Sequence, residues 1–186
     1  MRVADWLAWL LLAPGIACAG EIRESSVTLA DGVYRITVDA RIAAPPGAVY
    51  RAITDYDHLS RINGSIVESR IVRTFGPDRH RVRSVIRACI LFFCRSVLQV
   101  QDIARHGQRR VEADILPELS DFRYGRAVWQ LEADGPGTLM HFTAQLEPAF
   151  WVPPLIGPWL FEHKIVSELL ESTAAIEADR HGQVTP

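Results

Sequence analysis

Residues 33–56, VYRITVDARIAAPPGAVYRAITDY, hold the reading on which the fold turns. In the first ten, Tyr34, Ile36, Val38, Ala40 and Ile42 share one parity, while Arg35, Thr37, Asp39 and Arg41 share the other. A period of two with one apolar face describes a strand half-buried in an antiparallel sheet. Ala44-Pro45-Pro46-Gly47 then ends the strand, and Ala48, Val49, Tyr50, Ala52 and Ile53 continue at helical spacing. Proline is tolerated in a first helical turn, so a short helix starts here. Asp55-Tyr56-Asp57 breaks it before a second short helical segment, and Asn63-Gly64 is a turn signal.

Downstream the period of two recurs. Strand candidates occupy 65–74, 81–90, 95–104, 109–115, 125–132 and 138–146, separated by short Gly-, Pro- and Asp-containing connections. Such spacing predicts an antiparallel meander. After Gly157-Pro158 about twenty residues run without Gly or Pro, with Phe161, Ile165, Leu169 and Ile176 on one helical face. This long helix must lay its apolar stripe on another layer. One curved antiparallel sheet of about seven strands gripping that helix is the simplest α+β solution.

Upstream, residues 1–19 read as a secretory signal peptide: Arg2, an apolar run over 6–12, a Pro14-Gly15 break, and Ala17-Cys18-Ala19 before the expected cut. The apolar run is too short and too interrupted for a spanning helix, which needs roughly 20 residues. Cys18 is an alternative lipoprotein acceptor, but Gly15 stands where such a site usually carries a Leu-like residue. Export to a periplasm-like space is therefore the expectation, leaving one domain over 20–186 with its core at about 30–180.

Cleavage leaves Cys89 and Cys94 as the two remaining cysteines, in a compartment that permits disulfides. A continuous strand would hold them roughly 16 Å apart, whereas a bridge needs Cα atoms within about 7 Å, so a bridge requires 90–93 to turn. Zinc is not expected, because no second Cys pair or His pair stands at ligand spacing. Acidic and basic residues nearly cancel, 22 against 20, so the field that draws a protein to nucleic acid is missing.

Residues 41–56, RIAAPPGAVYRAITDY, together with 125–129, 137–142 and the closing helix, resemble the START-like (SRPBCC) superfamily. Within it they are most similar to the polyketide cyclase/dehydrase-like and coenzyme Q binding branch. The resemblance covers roughly 30–180 and implies a helix-grip fold enclosing a cavity that takes lipids, quinones, polyketides or hormones. It also implies that some members are cyclases. The signal peptide, the Cys89/Cys94 loop and the apolar segment 150–156 are departures from the family pattern.

Parity places Tyr34, Leu98, Val100, Trp129, Met140 and Phe142 on the inner face, opposite Ile165 and Leu169 of the helix. Tyr34, Leu98, Trp129, Met140, Phe142, Ile165 and Leu169 are the ligand-binding candidates; the bland alternative is that they fill a solid core. This face is nearly free of the titratable groups that acid–base catalysis requires. Tyr34 and Asp102 are the inward candidates for a cyclase or dehydratase, Ser84 has no evident base beside it, and His141 has outer parity. No catalytic residue, metal or cofactor is assigned. Asp121, Arg123 and Arg126 form either an ion-pair network holding 117–124 or a polar anchor at the cavity mouth.

In an up-and-down meander, alternate loops share an end. That brings together the Cys loop, 117–124 and 150–158, placing Phe92, Phe93, Phe150, Trp151, Leu155 and Trp159 around a cavity mouth that could dock on a membrane. The alternative is that these loops cap the core. The expectation is an exported binder or carrier of an apolar molecule such as a lipid or quinone. A polyketide-type cyclase and a ligand-free interaction module are the other readings.

Overall fold

The computed structural model describes residues 20–90, 93–152 and 157–180. It contains β1 (Glu21–Ala30), β2 (Val33–Ile42), α1 (Pro46–Thr54), a 3-10 turn (Leu59–Arg61), β3 (Ile66–Gly76), β4 (Arg79–Ile90) and β5 (Phe93–His106). β6 (Arg110–Ile115), a 3-10 turn (Pro117–Leu119), β7 (Phe122–Asp134), β8 (Gly137–Pro148) and α2 (Gly157–Arg180) complete it. The signal-peptide reading of 1–19, Cys18 included, falls outside the described residues.

All eight strands form one curved antiparallel sheet in the order β1-β2-β8-β7-β6-β5-β4-β3. The sheet therefore has one strand more than the sequence reading placed, and the addition is β1. Its signal is visible in hindsight: Asp31 and Gly32 both take positive φ, 54° and 80°, the geometry of a two-residue hairpin that favours Asp-Gly. β1 was missed because Glu21, Arg23 and Glu24 blur its alternation and a bulge between Ile22 and Glu24 shifts its parity midway. The second expected helical segment is a single 3-10 turn.

α1 has no side-chain cap; Pro45 supplies its carbonyl to the amides of Ala48 and Val49 at 2.8 and 3.2 Å. Tertiary contacts hold it instead. Val49 is fully buried against Ala40, Ile42, Leu131, Met140 and Ile176, and the Thr138 hydroxyl donates to the Ala44 carbonyl at 2.6 Å just before the helix.

α2 lies over the β1–β2 side of the sheet. The Glu177 carboxylate accepts the amides of Gly20 at 3.0 Å and Ala43 at 2.6 Å, tying the end of the helix to the start of β1 and the end of β2. At its other end Phe161 stacks on Tyr34, with ring centroids 4.1 Å apart. Among the described residues no helix is long and apolar enough to cross a membrane.

Candidate functional site

β4 and β5 are joined by the expected Cys89–Cys94 disulfide, and the two cysteines stand directly opposite each other in the hairpin. That pairing sets the register of both strands: Ile86 faces Val97, Ser84 faces Gln99 and Val82 faces Gln101. Cross-strand partners share a face. Since Val82 packs inward, Gln99, Gln101 and Ile103 do as well.

Here the structure corrects the sequence reading. Leu98, Val100 and Asp102 belong to the opposite parity, and Leu98 does not line the cavity. The run 97–103, VLQVQDI, supports two alternations equally well, and apolarity alone selects the wrong one. Asp102 is no cavity acid. Its carboxylate takes a two-pronged ion pair from Arg81 on the outer face, at 2.7 and 2.9 Å. The Arg81 hydrogen bond holds its pKa below the usual carboxylate value.

Between the sheet, α2 and the segment following α1 lies a cavity of about 280 Å³. One wall is apolar. Trp129 and Phe142 are cross-strand partners with ring centroids 5.2 Å apart, and they stand with Met140, Ala127 and Ala144 from β7 and β8. Ile36 and Ile42 of β2 and Ile165, Leu169 and Ile176 of α2 complete that wall. Five of the seven ligand-binding candidates, Trp129, Met140, Phe142, Ile165 and Leu169, are thus cavity-lining.

Tyr34 is not. It is buried between β2 and α2, where a Cβ on Gly157 would stand 2.4 Å from its hydroxyl, so the ring is a joint between strand and helix. Burial raises its pKa.

The other wall sets polar groups among Ile53, Leu59, Ile62, Ile86 and Ile103, and the sequence reading found only part of the polar set. Ser84, Gln99, Gln101 and Tyr56 line it from β4, β5 and the turn after α1; Asn63, Glu168, Ser172 and Thr173 lie along the α2 side. The helix hydroxyls are satisfied locally: Ser172 donates to the Glu168 carbonyl and Thr173 to the Leu170 carbonyl. Glu168 accepts from the Asn63 amide at 3.4 Å and pairs with Lys164 at 3.1 Å. Lys164 also donates to Ser65 at 2.7 Å, and the Gly64 amide donates to Glu171 at 3.2 Å. A polar seam therefore closes 63–65 against α2.

Among the described lining residues, Tyr56 and Glu168 are the ionisable ones. Burial raises the Tyr56 pKa, so at neutral pH this hydroxyl is a hydrogen-bonding group rather than a base. Among the described residues no histidine or carboxylate is bonded to Ser84, so the described lining holds no nucleophile–base pair. Among the described residues no group of three or more His, Cys, Asp or Glu side chains is placed to hold a metal.

At the end of the sheet carrying the Cys hairpin, Phe150 is tucked against Phe122, with centroids 6.2 Å apart, beneath the Arg95 guanidinium at 4.8 Å. Trp151 and Trp159 are 80% and 62% exposed. Phe92, Leu155 and the side chain of Phe93 lie outside the described residues. The Asp121 cluster does not form a mouth anchor: Asp121 accepts the Leu98 amide at 2.8 Å, while Arg123 pairs with Glu147 and Arg126 with Glu112.

A curved antiparallel sheet, a long C-terminal helix across it and a chamber between them define the START-like helix-grip class. The chain belongs to the polyketide cyclase / dehydrase and lipid transport family, whose model matches residues 34–176. It is similar in structure to the Zhui aromatase/cyclase from Streptomyces sp. R1128, at TM-score 0.65 and 13% identity over 82% of this chain and 96% of that one. A START superfamily protein from Mycobacterium smegmatis matches at TM-score 0.63 and 16% identity, over 81% of this chain and 99% of that one. Human STARD10 matches at TM-score 0.63 and 11% identity, over 86% and 75%. At such identities these likenesses establish fold alone. No curated protein matches the chain in sequence.

Proposed function

We propose that this protein is an exported binder or carrier of an apolar small molecule, a lipid, a quinone or a similar compound, held between the sheet and α2. The observation that carries the reading is the chamber itself: an apolar aromatic wall with no nucleophile–base pair among its described residues. A cavity of mostly apolar lining with a few convergent polar groups is the usual form of a small-molecule site. Export rests on the signal-peptide pattern of 1–19, with cleavage after Ala19. Docking of the mouth on a membrane is supported by the exposed indoles of Trp151, just after β8, and Trp159, in the first turn of α2.

A cyclase or dehydratase is the second reading. Asp102 and Tyr34 lie away from the chamber, so this reading would rest on Tyr56, which lines it but whose hydroxyl is sealed from it and would have to turn inward. Native mass spectrometry of the purified protein, followed by organic extraction, tests the proposal. A retained apolar compound released intact is the expected result. Conversion of that compound by the protein, abolished in Tyr56→Phe, would replace carriage with catalysis.

A further inference from the structure

The apolar wall explains how the chamber would hold a hydrocarbon but leaves the opposite wall without a purpose. Tyr56 is 3% exposed, and its hydroxyl finds no hydrogen-bond partner among the described residues. Gln101 is 8% exposed, and its Oε1 accepts from Gln99 Nε2 at 2.7 Å. Whichever amide donates, the pair leaves three N–H donors and one wholly unused carbonyl acceptor. Ser84, directly opposite Gln99, adds a hydroxyl with no hydrogen bond among the described residues. Buried polar groups are normally paired; the Tyr56 hydroxyl is sealed in and unpaired, whereas Ser84, Gln99 and Gln101 line the chamber with donors and acceptors to spare. A solid apolar core would carry none of them.

These groups are uncharged, and donors and acceptors are mixed. No Lys, Arg or His stands among the described lining residues, and the one charged group, Glu168, is negative. A ligand carboxylate or phosphate buried here would have no counter-ion. The volume, about 280 Å³, lies at the small end of the range for drug-sized ligands and would not enclose a two-chain lipid.

Building on the apolar-carrier reading, we propose that Ser84, Gln99 and Gln101 form a hydrogen-bonding subsite for the uncharged oxygen function, a carbonyl or hydroxyl, of a compact and otherwise apolar ring compound. The Trp129–Phe142 wall takes the ring, and the β4–β5 wall takes the oxygen.

Three probes of one skeleton test this by calorimetric titration at pH 7: naphthalene, 2-naphthol and 2-naphthoate. The expected order has 2-naphthol binding about tenfold tighter than naphthalene, as one or two net hydrogen bonds allow, with 2-naphthoate weakest. The double change Gln99→Met and Gln101→Met should erase the 2-naphthol advantage and keep naphthalene within about threefold of the parent. Ser84→Ala, the second variant should the double change not fold, should weaken 2-naphthol binding alone while leaving naphthalene binding unchanged. Equal affinity for naphthalene and 2-naphthol, or an advantage that survives these changes, would overturn the subsite and leave the carrier reading standing. Failure of all three probes to bind would overturn both.

Discussion

The β2–β8 side of the sheet and its β3 edge meet different surroundings. In the half formed by β1, β2, β8 and β7, the β2–β8 ladder runs nine pairs from Tyr34/Leu146 to Ile42/Thr138 without a register shift, and both helices pack there. In the half formed by β3 to β6, the β3–β4 ladder shifts register three times, and Val67, Val72 and Phe75 of the edge strand are exposed. Its outer face is basic: the guanidinium groups of Arg73, Arg79 and Arg81 lie 4.9, 5.9 and 5.4 Å from the Phe75 ring. Its inner face carries the glutamines. Both inner faces reach the chamber, the first with the apolar Trp129–Phe142 wall and the second with the glutamines, but α2 packs on the first. Stability is thereby weighted toward the first half and polar recognition toward the second.

The largest effect that would test this division is a pair of truncations. Leu131→Ala removes a side chain only 2% exposed in the first half and should cost about 2–5 kcal/mol in urea unfolding. Val72→Ala on β3 should stay within about 0.5 kcal/mol. Comparable losses would mean that the halves do not differ.

Next in size is the bridge. Reducing Cys89–Cys94 reopens a loop of sequence separation five, worth about 2 kcal/mol in the chain-entropy model. Amide exchange should quicken along β4 and β5 and remain unchanged in β2 and β8. Uniform quickening would show that the halves unfold as one unit.

A smaller effect concerns the outer ion pair. The Asp102 pKa is depressed in the folded state, chiefly by its Arg81 hydrogen bond, so its contribution is present above the ordinary carboxylate value and is lost as pH falls through the folded one. Solvent screens the pair, which keeps the contribution below about 1 kcal/mol. Asp102→Asn should therefore be slightly less stable than the parent at pH 7 and equal to it once acid has protonated the parent's carboxyl. A deficit that persists unchanged into acid would assign the residue another role. Ligand affinity should be unaffected, because Asp102 faces away from the chamber.

The smallest stability change belongs to the rim. Changing Trp151 and Trp159 together to Ser should leave unfolding free energy within about 0.5 kcal/mol, because both indoles are already in water. If the rim docks on membranes, co-sedimentation with liposomes should fall in the same variant. Retained co-sedimentation would remove the membrane from the proposal.

The sequence by itself determined most of the architecture, because each decision was local. Alternation marked β2 and the meander, Pro45-Pro46-Gly47 opened α1, Gly157-Pro158 opened α2, and two cysteines five apart implied a tight hairpin. Even β1 left its Asp31-Gly32 turn in view. The apolar wall was equally legible, since Trp129, Met140 and Phe142 are large apolar residues on an unambiguous parity.

The polar wall was decided by tertiary structure. In 97–103 both parities carry apolar side chains, so composition cannot say which one faces inward; only pairing with β4, set by Cys89 opposite Cys94, turns Gln99 and Gln101 to the chamber and Asp102 out to Arg81. Tyr56 shows the same dependence. Its sequence neighbours describe a turn, and its burial against Val82, Ile103, Val111 and Ala113 exists only once three distant strands are side by side. Local patterning selects strands and helices because each residue there answers to its neighbours in sequence. A cavity wall is assembled from residues that are neighbours only across the sheet.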